Sequence, residues 1–263
     1  MTQVLPLYSD EWSAEMYAHV MDPRRDDVPF WLSLAERAGG PVLELACGAG
    51  RALLPFARAG YEVTGLDLSP HMLTCFRGRL EQEETSVRAR VGVVEANMRE
   101  FDLGREYGVI FIANRSFQAL LTRHDHRSCL EACRRHLKPG GLLAIDVFNV
   151  RLDYLTAPGG MDHEMDELTG PDGVPVTVAS HTDYNLLEQS LCSTWRHEFA
   201  DSNGRLQRRD YAIHLHYFFR FEFEWMLEAC GFEVEALYGD FDRSPFTADS
   251  SEMIFVARRR CAL

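Results

Sequence analysis

The sequence predicts an α/β fold with a mostly parallel β-sheet, and three observations support this class. Short apolar runs, beginning with residues 42–45, are typical of strands buried on both faces of a parallel sheet. Segments with helical periodicity, such as residues 125–137, lie between these runs. The chain of 263 residues is long enough to bury one catalytic core that carries an insertion.

Composition limits the function before any motif is considered. Hydrophobic residues make up 46% and aromatic residues 11%, as in ordinary globular proteins. The net charge of −13 argues against a nucleic-acid partner, because proteins that grip phosphates usually present a basic face. Seven scattered cysteines indicate a reducing compartment and no disulfide framework. With neither a signal-peptide pattern nor an apolar run of membrane-spanning length, we expect a cytoplasmic protein, monomeric or homodimeric.

The first predicted strand leads into a turn that can approach a ligand closely. Gly48 and Gly50 follow this strand, and residues 51–58 are predicted to form a helix directly after them. The next apolar run ends in Asp67. In a doubly wound sheet an acidic residue there lies beside the first turn and accepts hydrogen bonds from ribose hydroxyls. Together these features predict a site for a nucleoside cofactor.

Two nucleotide-binding motifs are absent from this turn, and their absence indicates which cofactor it binds. A dinucleotide-binding turn needs a third glycine where Leu53 stands, and a phosphate-binding loop needs a Gly-Lys-Ser/Thr ending that this turn lacks. The motifs that remain, residues 44–50 (ELACGAG) and 65–70 (GLDLSP), resemble motifs I and II of class I S-adenosylmethionine-dependent methyltransferases. Residues 138–141 (KPGG) before an apolar strand add to the resemblance, which covers residues 8–259.

The resemblance implies a Rossmann-like, seven-stranded, mostly parallel sheet whose last strand is antiparallel. It also implies S-adenosylmethionine as cofactor and S-adenosylhomocysteine as product, with no metal. Asn97 stands where such enzymes commonly carry an aspartate that contacts adenine, and its amide oxygen can accept the same hydrogen bond. The predicted cofactor-binding residues are Tyr17, Glu44, Ala46, Gly48, Gly50, Arg51, Asp67, Leu68, Met72, Asn97, Met98 and Ala113.

Four segments are predicted along the chain. They are an N-terminal cover (1–40) with helices at 10–19 and 27–37, the cofactor-binding core (41–150), an antiparallel β insertion after strand five (151–218), and a C-terminal part that completes the core sheet (219–263). Ser69 and Pro70 mark the start of a core helix that extends to residue 82. Further strands are predicted at 88–94, 107–113, 142–148, 232–238 and 251–259, and further helices at 125–137 and 221–230.

The loop after the fourth strand is the predicted position of the methyl acceptor, because ligands of open α/β sheets bind outside the carboxyl ends of strands near the switch point. The candidates for substrate binding there are Asn114, Arg115, Ser116 and Phe117. An equally weighted alternative is that Asn114 and Ser116 only cap the turn that follows.

The insertion is predicted to form a second wall over the cofactor. Residues 156–173 are rich in Gly, Pro and Asp and predict a mobile loop, whereas alternation in 174–184, 190–199 and 207–218 predicts half-exposed antiparallel strands. Residues 201–204 suit a hairpin turn. Trp195 and Tyr211 are further substrate-binding candidates, and His214 and His216 are weak candidates for a general base, with an ordinary structural role the favoured alternative.

Three functions are compatible with these patterns. The leading one is methyl transfer by in-line displacement to nitrogen or oxygen of a small molecule, which the aromatic residues of the insertion predict to be aromatic or heteroaromatic. Transfer from an activated methyl requires alignment and neither a covalent nucleophile nor a metal, so no catalytic residue is assigned beyond the two histidines. The alternatives are a non-catalytic protein that binds the same cofactor as a regulator or subunit, and a nicotinamide-dependent oxidoreductase, which Leu53 disfavours.

Overall fold

The chain folds into a central mixed sheet and a smaller sheet that faces its ligand-binding edge. The structure is a computed structural model that describes residues 3–21, 23–24, 26–156, 160–164 and 167–260. No helix among these residues is both long and apolar enough to cross a membrane.

The central sheet confirms the predicted seven-stranded, mostly parallel architecture. Its strands β2 to β6 run parallel to one another, and β13 is antiparallel to both of its neighbours. In spatial order the strands are β12 (Phe232–Tyr238), β13 (Glu252–Arg259), β6 (Leu137–Phe148), β5 (Tyr107–Ile112), β2 (Val42–Leu45), β3 (Val63–Asp67) and β4 (Val91–Glu95).

Helices cover both faces of this sheet, as the continuous apolar strands require. On β5, Val109 and Phe111 belong to one hydrophobic cluster and Ile110 and Ile112 to the other, because successive side chains of a strand point to opposite faces. Helices α2 (Val28–Ala38), α3 (Leu54–Arg58), α4 (Pro70–Glu81) and α5 (Thr85–Arg88) pack on the first face, and α6 (Arg123–His136) and α8 (Arg220–Ala229) on the second.

Three core boundaries differ from the prediction by three or more residues, and the largest difference is in β6, which is predicted from residue 142 but begins at Leu137. The helix predicted over 51–58 begins only at Leu54, and residues 51–53 continue the turn. Pro55 explains the late start, because proline lacks an N–H and is tolerated only in the first turn of a helix. The strand predicted over 88–94 is shorter, since α5 ends at Arg88 and β4 begins at Val91.

The second sheet contains the predicted antiparallel insertion. Its three long strands are β9 (Pro175–Asn185), β10 (Ser190–Ala200) and β11 (Leu206–His216), each within two residues of the predicted ends. The predicted loop over 156–173 is partly wrong, because β7 (Met161–Glu164) and β8 (Leu168–Thr169) lie in it and pair with β9. Residues 157–159 and 165–166 of that loop lie outside the described residues.

The N-terminal segment joins the two sheets in a way that local patterns do not reveal. Strand β1 (Val4–Pro6) pairs in parallel with residues 210–212 of β11, so its partner lies about 200 residues away in sequence. Helix α1 (Glu11–Met21) then packs between the sheets: Met16 contacts the insertion cluster, and Ala14 and Ala18 pack near Met72 of α4. The segment predicted as an N-terminal cover therefore packs against both the core around the central sheet and the second sheet.

We predict that Gly50→Ala destabilises the core more than its backbone conformation alone would. Gly50 has φ of +76°, and a Cβ atom there would overlap the Phe76 ring. Gly104 is the matched control, with φ of +63° and no atom within 4 Å of an added Cβ. Urea unfolding should show a loss of about 1–2 kcal/mol for Gly104→Ala and roughly a further 1–3 kcal/mol for Gly50→Ala from overpacking. Equal losses would contradict the packing argument.

Candidate active site

A cavity of about 1320 Å³ lies at the edge of the central sheet, where β2, β3 and β5 end. Helix α1 and the second sheet form its other walls. Strand order reverses between β2 and β5, and open α/β sheets bind ligands at such a switch point. The predicted site residues that line this cavity are Tyr17, Ala46, Gly48, Asp67, Leu68, Met72, Asn97, Met98, Asn114, Arg115, Ser116 and Trp195.

Asp67 holds the glycine turn against the next strand. Its Oδ2 accepts a hydrogen bond from the Gly48 amide (2.8 Å), and its Oδ1 accepts one from the Ser69 amide (2.8 Å). Burial raises the pKa of the Asp67 carboxyl, while these backbone N–H groups act in the opposite direction. Each carboxylate oxygen has a second lone pair, so the side chain can still accept from a ligand in the cavity.

Glycine is needed at the two positions of the turn for different structural reasons. Gly48 has φ of +52° and lines the cavity, with the nearest atom to an added Cβ being the Met72 Cε at 3.0 Å. Gly50 does not line the cavity, and its missing side chain makes room for Phe76 of α4. A contact between Gly50 and a ligand in this cavity is therefore not supported by the geometry.

A smaller cavity of about 50 Å³ extends beneath the turn and shares Ala46, Gly48 and Asn114 with the large one. Among the predicted cofactor residues, Glu44, Arg51 and Ala113 line only this part.

The charged groups in this smaller cavity are unequally satisfied. The Glu44 Oε2 is buried with no hydrogen-bond partner among the described residues, and burial raises the pKa of its carboxyl well above the usual value. Arg51 is committed to Asp27, to which it donates two hydrogen bonds of 2.6 Å. The Glu44 Oε2 thus lacks a hydrogen-bond donor among the described residues, and a bound ammonium group would supply one.

The loop after β5 contains a left-handed backbone conformation that residues other than glycine rarely adopt. Asn114 and Arg115 are consecutive non-glycine residues with φ of +56° and +62°. The Arg115 amide donates to the Asp146 Oδ2 (2.9 Å), and the Asn114 amide nitrogen donates to the Tyr17 hydroxyl. These bonds direct the Asn114 side chain across the cavity to α1. Ser116 begins a short 3₁₀ helix (Ser116–Ala119), and its hydroxyl donates to the Ala113 carbonyl.

Asp146 supports the β5 loop and is not predicted from the sequence, although an acid inside the apolar run 142–148 is itself a signal. It is fully buried, and its Oδ1 has no partner among the described residues. Burial and the neighbouring Glu252 carboxylate raise the pKa of Asp146 to about 8, against the opposing effect of the Arg115 amide and guanidinium. The Arg115 guanidinium pairs with Glu252.

Asn97 lines the cavity but is already engaged. Its amide oxygen accepts from the backbone N–H of Arg99 (3.0 Å) and from the Arg99 Nε (3.2 Å). An adenine amino group would have to compete with these two bonds, so the predicted contact through this oxygen is not supported by the geometry.

Four predicted residues on the acceptor side do not line either cavity. Phe117 is buried against His126 and Phe218, and the fully buried Tyr211 donates its hydroxyl hydrogen bond to Asp10.

The two histidines proposed as bases are the other exceptions. Strand β11 directs Ile213 and Leu215 into the cavity, so the alternating His214 and His216 face away from it. His214 is exposed, and His216 is buried against His126 with its ring centroid 4.9 Å away. Neither is in a position to act on a ligand in this cavity, so the proposal of these two residues as bases is corrected.

The insertion contributes polar residues that the sequence analysis did not single out. On β10, Leu191, Ser193 and His197 line the cavity on the same face as Trp195, which strict alternation from Trp195 would have indicated. Thr182 and Tyr184 line it from β9. Burial lowers the pKa of His197, so its ring is neutral near pH 7.

Comparisons with known proteins agree with this architecture. A family model described as a methyltransferase domain matches residues 42–141. The putative methyltransferase YqeM of Bacillus subtilis is 26% identical, covering 92% of this chain and 96% of that protein. The cypemycin N-terminal methyltransferase of a Streptomyces species is also 26% identical, covering 97% and 99%. An S-adenosylmethionine-dependent methyltransferase structure from Clostridium acetobutylicum superposes with a TM-score of 0.79 at 14% identity over 93% and 98%, a likeness of fold.

The methyltransferase domain and these relatives support a class I S-adenosylmethionine-dependent small-molecule methyltransferase. The predicted enzyme class and fold are thereby confirmed, and S-adenosylmethionine is supported as the cofactor. Neither the oxidoreductase nor the non-catalytic regulator receives support from these relatives.

We predict that the methyltransferase loses stability as Asp146 ionises. The native pKa of about 8 exceeds the usual value of 3.8, so the folded protein keeps a proton that the unfolded chain releases. The stabilisation is complete below the unfolded pKa and declines as pH rises until the native pKa is passed. Urea unfolding between about pH 5.5 and about pH 8.5 should show wild type losing on the order of 2–3 kcal/mol more than Asp146→Asn. The exposed Asp26→Asn control should follow wild type, and parallel curves for all three would contradict the assignment.

Proposed function

We propose that this methyltransferase transfers a methyl group to a nitrogen of a small, flat and largely apolar molecule bound between the β5 loop and the second sheet. The observation that carries the proposal is that three polar groups beside the β5 loop, Tyr17, Asn114 and Ser116, are neutral, whereas the neutral His197 imidazole lies on the second sheet. Burial raises the pKa of Tyr17, which keeps its hydroxyl protonated. An unprotonated amine attacks without a base, whereas an alcohol or phenol needs one.

The cofactor fits the residues at the glycine turn. Gly48 leaves the backbone open to the cavity, Asp67 has lone pairs for ribose hydroxyls, and the unpartnered Glu44 oxygen suits the cofactor's ammonium group. A positive group beside Glu44 would also favour the charged form of this buried carboxyl. When bound, S-adenosylmethionine supplies an electrophilic methyl on a sulfonium.

The protein's contribution to transfer is alignment and exclusion of water. The Tyr17–Asn114 hydrogen bond closes the space between α1 and the β5 loop, and Asp146 holds that loop in its left-handed conformation. Well-oriented reactants can save roughly 7–11 kcal/mol of the barrier. No covalent step and no metal-assisted step is part of the proposal.

Three further observations support an acceptor of this type. The aromatic side chains of Trp195, Tyr184 and Tyr154 line the cavity, and flat rings pack well on such walls. The relative from Streptomyces is named for methylation of an N-terminus. The net charge of −13 disfavours nucleic acid as the acceptor.

The described cysteines are all free thiols, which supports a cytoplasmic location.

We predict that Asp67→Ala weakens S-adenosylhomocysteine binding by at least about 1 kcal/mol, because a charge-assisted hydrogen bond to the ribose is lost. Calorimetric titration below the unfolding temperature of the variant measures this. Glu95→Ala is the matched control, because Glu95 ends the adjacent strand opposite Asp67 in register but does not line the cavity. Unchanged affinity in Asp67→Ala would show that the ribose is held elsewhere.

We predict that matched arylalkyl amines and alcohols differ as acceptors, with methyl transfer to the amines alone. The value of kcat/KM should rise with pH, with a midpoint that follows the ammonium pKa of each amine, because the free base is the nucleophile. Release of S-adenosylhomocysteine across a series of amines of graded pKa tests this. Methylation of the alcohols, or one midpoint common to every amine, would instead indicate a base on the protein.

A further inference from the structure

We propose that Ser193 is the centre of a subsite that donates one hydrogen bond to a lone-pair atom of the acceptor molecule, while the acceptor's flat ring lies against Trp195. The lone-pair atom is a carbonyl or ether oxygen or an unprotonated ring nitrogen. This inference rests on the proposed function, because it takes the second sheet as the acceptor wall.

The side chains of Ser193, Thr182 and Trp195 carry one more hydrogen-bond donor than they use among themselves. The Trp195 Nε1 donates to the Ser193 Oγ (3.0 Å), and the Thr182 Oγ1 donates to the same oxygen (3.0 Å). One indole N–H and two hydroxyls supply three hydrogens, and the bonds among them use two. Reversing the Thr182–Ser193 bond only moves the spare hydrogen from one hydroxyl to the other. One O–H donor is therefore left over in either arrangement.

This spare donor faces the cavity. Ser193 and Thr182 both line it, although only 9% of Ser193 and 8% of Thr182 remain exposed. Neither hydroxyl has another described hydrogen-bond partner. A buried donor without an acceptor costs free energy, so a ligand atom with a lone pair is favoured at this position over a hydrocarbon.

The same bonds fix the aromatic wall beside the donor. Because its N–H is anchored on Ser193, the Trp195 indole is held in one orientation. Leu191, Val178 and Leu215 are apolar neighbours that also line the cavity. A planar ring on this wall with a lone pair toward Ser193 matches both features. His197 and other wall residues also face the cavity, so the test must isolate the hydroxyls of Ser193 and Thr182.

The test uses quinoline and naphthalene as probes on the protein saturated with S-adenosylhomocysteine. The two have nearly the same shape, and only quinoline carries a ring nitrogen with a lone pair. The ratio of their Kd values is measured by ligand-observed NMR in wild type and variants, so that their different hydration cancels between proteins. In a Trp195→Phe background, which removes the indole N–H, the pair Thr182→Val and Ser193→Ala leaves no donor and should shift the ratio about threefold to tenfold toward naphthalene, the size of one neutral hydrogen bond.

Further variants in the same background make the result specific. Thr182→Val alone leaves Ser193 its hydrogen and Ser193→Ala alone leaves Thr182 its hydrogen, so each should keep the ratio of Trp195→Phe. Thr194→Val alters a hydroxyl that does not line the cavity and should also leave the ratio unchanged. An unchanged ratio in the paired variant, or an equal shift in Thr194→Val, would overturn the subsite. Because the probes are not methylated in this assay, failure here leaves the amine-acceptor test independent, and loss of S-adenosylhomocysteine binding would identify a fault in the cofactor site.

Discussion

The bridge made by the Asp67 carboxylate is the constraint on which the rest of the site depends. It receives one backbone N–H from the glycine turn after β2 and one from the start of α4, and so fixes two neighbouring strand ends to each other. The N-terminal segment is attached at the same place, since the Ser69 hydroxyl donates to the Tyr8 carbonyl. A residue suited to ribose hydroxyls thus also assembles the walls around it. The same side chain therefore fixes the positions of the strand ends and offers oxygen atoms to the ligand.

The N-terminal layer forms one wall of the large cavity. Strand β1 extends the second sheet, and α1 packs on both that sheet and α4. Arg79 of α4 donates to the carbonyls of Ala18 and Ala49, which ties the helix to the glycine turn. Tyr17 is carried by this layer to Asn114. The acceptor wall and the cofactor turn are therefore connected through a segment that belongs to neither.

Buried carboxyl groups beneath the cavity give the site its electrostatic character. Asp146 and Glu44 each keep one oxygen without a described partner, and burial raises the pKa of both. Such groups are costly to stability, and they persist where the structure uses them. Asp146 supports the left-handed backbone at Arg115, and Glu44 faces the space beneath the glycine turn. These buried carboxyl groups lower the free energy of unfolding, but they fix the loop after β5 and favour a positively charged ligand group.

The central sheet, its helices and the turn at Gly48 and Asp67 could be predicted from the sequence, because strand burial, helix caps and glycine turns depend on residues close together in the chain. The long strands of the insertion could be predicted from their alternation. The residues that line the cavity could not be predicted in the same way. The pairing of β1 with β11, the retreat of Tyr211 and His216 into packed surroundings, and the contact between Tyr17 and Asn114 join residues far apart in sequence. Long-range packing sets these contacts, and no local pattern encodes it.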